Sequence, residues 1–271
     1  MKKILIISLL IISIADISIS GDQPTQPVLR VAVLNNSPSV KLSIKGPYEI
    51  KTLQKEELIE SGSFLKSTDV FPTPEGIEIG KKPYKFFGVK IEPGKDAFIL
   101  INDRIYRGEI DIIRTKDARL LLVNHVGLED YLYGVLYHEV SPRWPIEALK
   151  AQAIVSRTYA LYQKSINETR DFDLTSDFYS QVYGGKTSEK YRTTRAVDLT
   201  RGEVLIYEGK LLPAYFHATC GGHTEDAGEL WNTDLVPLKG VKCNFCRLSP
   251  HYRWENSLNL KEVMEKLVLG G

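Results

Sequence analysis

The chain has 271 residues, enough for one large domain or two small ones. An apolar content of 43% with 25% charged residues excludes a disordered chain and supports a packed core. With 35 Lys and Arg against 34 Asp and Glu, the net charge is +1, so no electrostatic case exists for nucleic acid as a partner.

In chain order, Lys2 and Lys3 precede an apolar run from Ile4 to Ile14. Ser18 and Ser20 then stand at the −3 and −1 positions of a cleavage site before Gly21. This pattern predicts a signal peptide over residues 1–20 and export to the periplasm, cell wall or medium. The competing reading, an uncleaved anchor, is opposed by the short run and by Asp16. Export admits disulfides and extracellular polymers as substrates.

Residues 21–27 read as a linker. The runs VLRVAVL, SVKLSIKG, YEIKTL, PYKFFGVKIEP and AFILIND follow, β-branched and punctuated by Gly, Pro, Asn and Asp, so residues 28–126 are expected to be mainly β. RIYRGEIDIIRTKDARLLLVNHV, residues 104–126, reads as a hairpin turning at Lys116–Asp117. The period changes at Gly127. Leu128, Tyr131, Leu132, Val135, Leu136 and Glu139 fall on one helical face, so Glu139 continues an apolar stripe to the helix end. Pro145 is expected at N1 of a second helix running to about Lys164. Its alanines favour close packing, and Gln152, Ser156 and Tyr159 form a polar strip along it. A helix over about Ser188–Thr200, a β-hairpin around Glu208–Lys210 and a helix within residues 259–271 complete the elements. The expected fold class is α+β, with a core domain over residues 28–258 whose part from 127 to 258 carries the chemistry.

A glutamate at the end of an apolar helix face is partly desolvated, which raises its pKa toward that of a general acid. The competing reading is a corner carboxylate paired with Arg143 or Arg157. Further on, Cys220, His223, Cys243 and Cys246 give CGGH and CNFC, close to the spacing of a two-knuckle structural zinc site. One disulfide with a thiol left over, a redox-active Cys-x-x-Cys pair, or His217 or His251 in place of His223 are the alternatives.

LEDYLYGVLYHEVSPRWPIEALKAQAIVSRTYAL, SQVYGG, TRGEVLIYEGKLLPAYFHATCGGHTE and SPHYRW resemble the core motifs of the SpoIID/LytB family of bacterial cell-wall proteins. The resemblance implies action on peptidoglycan. Its sporulation branch contains lytic transglycosylases, which cut the MurNAc–GlcNAc bond in glycan strands stripped of stem peptides. The acid of that branch falls on Glu139. Matching motif positions imply sugar-binding roles for Gln152, Arg157, Gln181, Tyr183, Tyr215 and His217. Tyr159 and Tyr183 read equally as core aromatics, and Arg157 reads as the holder of a carboxylate or loop carbonyl rather than of substrate. The family's Ser-Glu-Met is His138-Glu139-Val140 here, and its Cys and His zinc ligands before QVY are absent. CGGH/CNFC is therefore a separate cluster, similar to the C-terminal cysteines of non-sporulation members. The rival implied by the resemblance is a LytB-type enhancer that binds wall glycan and stimulates an N-acetylmuramoyl-L-alanine amidase; a structural wall-binding module is the third.

Overall fold

The computed structural model describes residues 26–269. The predicted signal peptide and most of the predicted linker lie outside the described residues. No described helix is long and apolar enough to cross a membrane.

Twelve strands open the fold: β1 (Val28–Ser37), β2 (Val40–Lys45), β3 (Tyr48–Thr52), β4 (Leu58–Gly62), β5 (Leu65–Thr73), β6 (Gly76–Ile79), β7 (Lys82–Tyr84), β8 (Gly88–Pro93), β9 (Phe98–Ile101), β10 (Arg104–Tyr106), β11 (Glu109–Arg114) and β12 (Leu120–Gly127). Period-2 alternation puts Val40, Leu42 and Ile44 of β2, Val89 and Ile91 of β8, Ile99 and Ile101 of β9, and Ile110 and Ile112 of β11 inside one shared core. β11 and β12 form the expected hairpin, but Arg104–Tyr106 leave it as β10, paired with β9. β4, β5 and β6 were absent from the strand-like runs; they complete the mainly β region rather than altering it.

Two sheets result. One, with the order β10-β9-β2-β5-β6-β7, has six strands. The other is seven-stranded and includes β13 (Leu174–Thr175), in the order β13-β1-β12-β11-β8-β3-β4. β12 is buried on both faces. Leu120, Leu122 and Val126 join the main core, while Leu121 and Val123 pack with Ala32 in a small second cluster.

β12 runs straight into α1 (Leu128–Glu139), and α2 (Ile146–Ile166) and α3 (Tyr191–Leu199) pack beside it. Pro145 occupies the N-cap of α2, one residue before the expected N1. α3 is shorter than read, because residues Gly185–Ser188 form a separate 3-10 turn. The linker ends in an anchored contact. Gln26 Oε1 accepts the Glu129 N–H at 2.9 Å and the Pro27 carbonyl accepts that of Leu128 at 2.8 Å, satisfying two free donors at the start of α1. The last part holds the two-residue strands β14 (Ile206–Tyr207) and β15 (Lys210–Leu211), then α4 (Ala227–Trp231) and α5 (Leu260–Leu269). The β14–β15 turn is tight because Glu208 and Gly209 both take positive φ, 49° and 76°.

Candidate active site

Glu139 is the last residue of α1, and the segment after β13 is brought to it by backbone pairing. β13 pairs in parallel with β1, Val31 opposite Leu174, so residues 176–183 leave the sheet beside the end of α1. They approach closely because residue 134 is glycine. A Cβ there would stand 2.6 Å from the Tyr183 ring and 2.8 Å from the Gly185 carbonyl. A helix-interior glycine ordinarily costs about 1 kcal/mol relative to alanine; here it makes room for the segment that covers the carboxylate.

Glu139 lies in a cleft of about 470 Å³ with Tyr159, Phe178, Tyr179, Ser180, Val182, Tyr215, Phe216 and Trp231. Tyr159 is buried at the base, with the rings of Tyr215 and Phe216 edge-on to it at 6.3 and 6.4 Å. Tyr215 stacks on Trp231 at 4.4 Å, and the adjacent Phe178 and Tyr179 rings sit 4.3 Å apart, both strongly exposed. Glu139 is the only carboxylate among the described residues lining the cleft.

Burial raises the pKa of Glu139 above the ordinary carboxylate value, and the Val182 N–H, which donates to Oε1 at 3.3 Å, opposes that only in part. His138 does not enter this balance. Its Nε2 bonds Ser188 Oγ at 2.7 Å, and desolvation lowers its pKa. Val140 is buried just after the helix. Of the departures flanking Glu139, His138 thus bonds the 3-10 turn at Ser188 and Val140 packs into the core. A raised folded pKa stabilises the fold below the ordinary carboxylate range, and this contribution is lost as pH rises through the folded value. Glu139→Gln should therefore match the wild type in melting temperature near pH 4 and exceed it near pH 8. A wild type that gains on the variant as pH rises would contradict the desolvated placement.

The sequence-predicted partners divide. Tyr215 lines the cleft; His217 is exposed and lines the neighbouring cavity instead. Gln152 bonds Ser156 along its own helix at 3.2 Å and is not among the lining residues. Gln181 is buried between two lining residues, accepting the Tyr131 hydroxyl at 3.3 Å, and its Nε2 has no partner among the described residues. Tyr183 is a core aromatic whose hydroxyl donates to Asn124 Oδ1 at 3.0 Å. Arg157 requires correction as a substrate-binding group. It is fully buried, donates to both Glu129 oxygens at 2.9 and 2.7 Å, and donates to the Val197 and Glu203 carbonyls. This network ties α1, α2 and α3 together and leaves the guanidinium no path to the cleft. Glu147 is exposed and bonds Lys150 at 2.9 Å, as a first-turn glutamate.

Sequence reasoning missed Phe178, Tyr179 and Trp231. The available signal was a pair of adjacent aromatics in a polar, turn-rich stretch, SDFYSQ, and a lone Trp in GELWNT. Of the four predicted metal ligands, Cys220, Cys243 and Cys246 converge, with their sulfurs within 4.8 Å of one another. His223 falls outside that group and lines the cavity adjoining the cleft.

The family model described as stage II sporulation protein, SpoIID, matches residues 116–207, which span Glu139 and the segment that covers it. An uncharacterised protein of Brachyspira hyodysenteriae is 35% identical over 245 residues, covering 89% of this chain and 65% of that protein. Stage II sporulation protein D of Bacillus amyloliquefaciens is 32% identical over 160 residues, 54% of this chain and 46% of that one. The amidase enhancer of Bacillus subtilis is 33% identical over 140 residues, 50% of this chain and 18% of that one. The chain thus spans just under two thirds of the first relative and less than half of the two named ones.

Proposed function

From membership of the SpoIID/LytB family through residues 116–207, and hence a role at the cell wall, we propose that this chain is an exported lytic transglycosylase of peptidoglycan glycan strands. The observation that carries the reading is a single half-buried carboxylate with a raised pKa, set in a cleft walled by aromatic rings. Glycosidases that hydrolyse usually need two carboxylates. A transglycosylase needs one, because the nucleophile is the substrate's own MurNAc C6 hydroxyl, and intramolecular attack has a high effective molarity. Glu139 gives its proton to the departing GlcNAc O4 as the C1–O4 bond breaks. Its carboxylate then takes the C6 hydroxyl proton as the O6–C1 bond forms, giving a 1,6-anhydro end without consuming water. Exposed faces of Phe178, Tyr179 and Trp231 suit the flat apolar faces of sugar rings.

Digestion of denuded glycan strands by the mature protein should release fragments with 1,6-anhydro-MurNAc ends, read by mass spectrometry. Absence of such ends, together with stimulation of a cell-wall amidase, would replace this reading by the enhancer reading that the Bacillus subtilis relative's name supports. Trp231→Ala should weaken glycan binding about tenfold, as expected for losing part of one aromatic's buried area, with the melting temperature unchanged. Unchanged affinity would remove the aromatic wall from the site.

A further inference from the structure

Residues 212–258 are nearly without regular structure and without a core of their own. Beyond α4 they hold two 3-10 turns and one isolated bridge, His223 to Lys242. Val236, Val241, Phe245 and Leu248 are all exposed, and Ala214 and Ala227 are the segment's only fully buried apolar residues besides a proline. Yet this segment supplies Tyr215, Phe216 and Trp231 to one wall of the cleft. A segment with so little buried area needs a cross-link to stay ordered.

The three thiols lie where such a link belongs. Cys220 is on one loop and Cys243 and Cys246 are on another. The loops are clipped by Cys243 N–H to the Gly222 carbonyl at 2.9 Å and Thr224 N–H to the Val241 carbonyl at 2.9 Å. Cys220 and Cys246 sulfurs are 3.5 Å apart, and all three lie within 4.8 Å of one another. A tetrahedral zinc site with Zn–S near 2.3 Å has sulfur–sulfur edges of about 3.8 Å, so the spacing fits three corners of one tetrahedron. Soft thiolates select zinc over hard cations. The imidazole of His223 is turned against Gly240, where an added Cβ would meet its Cε1 at 2.8 Å, and it stands outside the sulfur cluster.

We propose that Cys220, Cys243 and Cys246 bind one zinc ion as a three-thiolate site, its fourth position filled by a ligand from solvent rather than by His223. Cys220 lines the cavity that shares Tyr215, Phe216 and Trp231 with the Glu139 cleft, so the ion fixes the loop behind the aromatic wall. The assignment is independent of the glycan chemistry, since metal content is read without activity.

Elemental analysis of the full mature chain, reconstituted with zinc alone under reducing conditions and freed of excess, should give one zinc per chain. Cobalt(II) substitution, whose sulfur-to-metal charge-transfer intensity counts thiolates, should report three in the wild type, whether or not cysteine variants fold. Cys243→Ser should lower zinc content at least tenfold, and His223→Ala should retain it. Three free thiols that take up no zinc, or a Cys220–Cys246 disulfide that persists under those conditions, would overturn the site. Zinc loss in His223→Ala as complete as in Cys243→Ser would overturn the three-sulfur ligand set.

Discussion

Glu139→Gln should lower release of 1,6-anhydro ends from denuded glycan by roughly 10²- to 10⁴-fold, the usual contribution of a positioned general acid–base group. The amide keeps the side chain's shape and can still accept the Val182 N–H, so secondary structure should not change. Because the acid form does the first step, wild-type activity should fall as pH rises past the raised Glu139 pKa, and the variant's residual activity should lack that limb. Amidase stimulation, if the chain has it, depends on glycan binding and should survive in the variant. Activity retained within a few-fold would remove Glu139 from the chemistry.

The second large effect concerns stability. Arg157→Met leaves Glu129, with a side chain only 6% exposed, as an uncompensated buried charge. Breaking such a pair costs about 3–5 kcal/mol, which should appear in urea unfolding as a lower midpoint with little change in slope. The double variant Arg157→Met, Glu129→Leu removes both charges and should recover most of the loss, since apolar replacement of a buried pair is often neutral or stabilising. If Arg157 instead held substrate, the single variant would keep its stability and lose affinity.

The contrast between these two residues shows what the chain makes legible. Glu139 was readable because its setting is local: six residues of one helix face, ending at VSPR, placed a carboxylate at the end of an apolar stripe. Arg157 was not. Its partners lie at positions 129, 197 and 203, and spacing along α2 cannot reveal them. A different limit hid two of the three unread strands. β4 buries no residue fully and β5 buries only Val70, so neither displays the alternation that exposed β2 or β11. Strands that bury so little, whether at the sheet edge like β4 or inside it like β5, hide their identity because half of the signal is burial. The aromatic wall was lost for a related reason. Phe178, Tyr179 and Trp231 come from loops and a five-residue helix, where no period exists to mark them. At the cysteines, spacing grouped three thiols that the fold does bring together, but loop direction, which sends His223 toward Gly240, is written in backbone turns and not in residue intervals.

The pairing of β1 on both sides has a consequence for the order of folding. Its partners are β12, with Val28 opposite Gly127, and β13, with Val31 opposite Leu174. Arg30 meets Asp173 across 143 positions of chain. The first strand synthesised is therefore among the last to be satisfied, and until residue 175 is available one of its edges has no mate. Contacts of such high sequence separation fold slowly and leave open strand edges that invite association with other chains. Folding that completes the sheet also delivers the Phe178–Val182 segment to Glu139, so the carboxylate is covered only once residue 182 is present, and the cleft gains its other wall only with Tyr215, Phe216 and Trp231. A nascent chain would hold its glutamate uncovered, without the Val182 N–H that meets it in the finished fold.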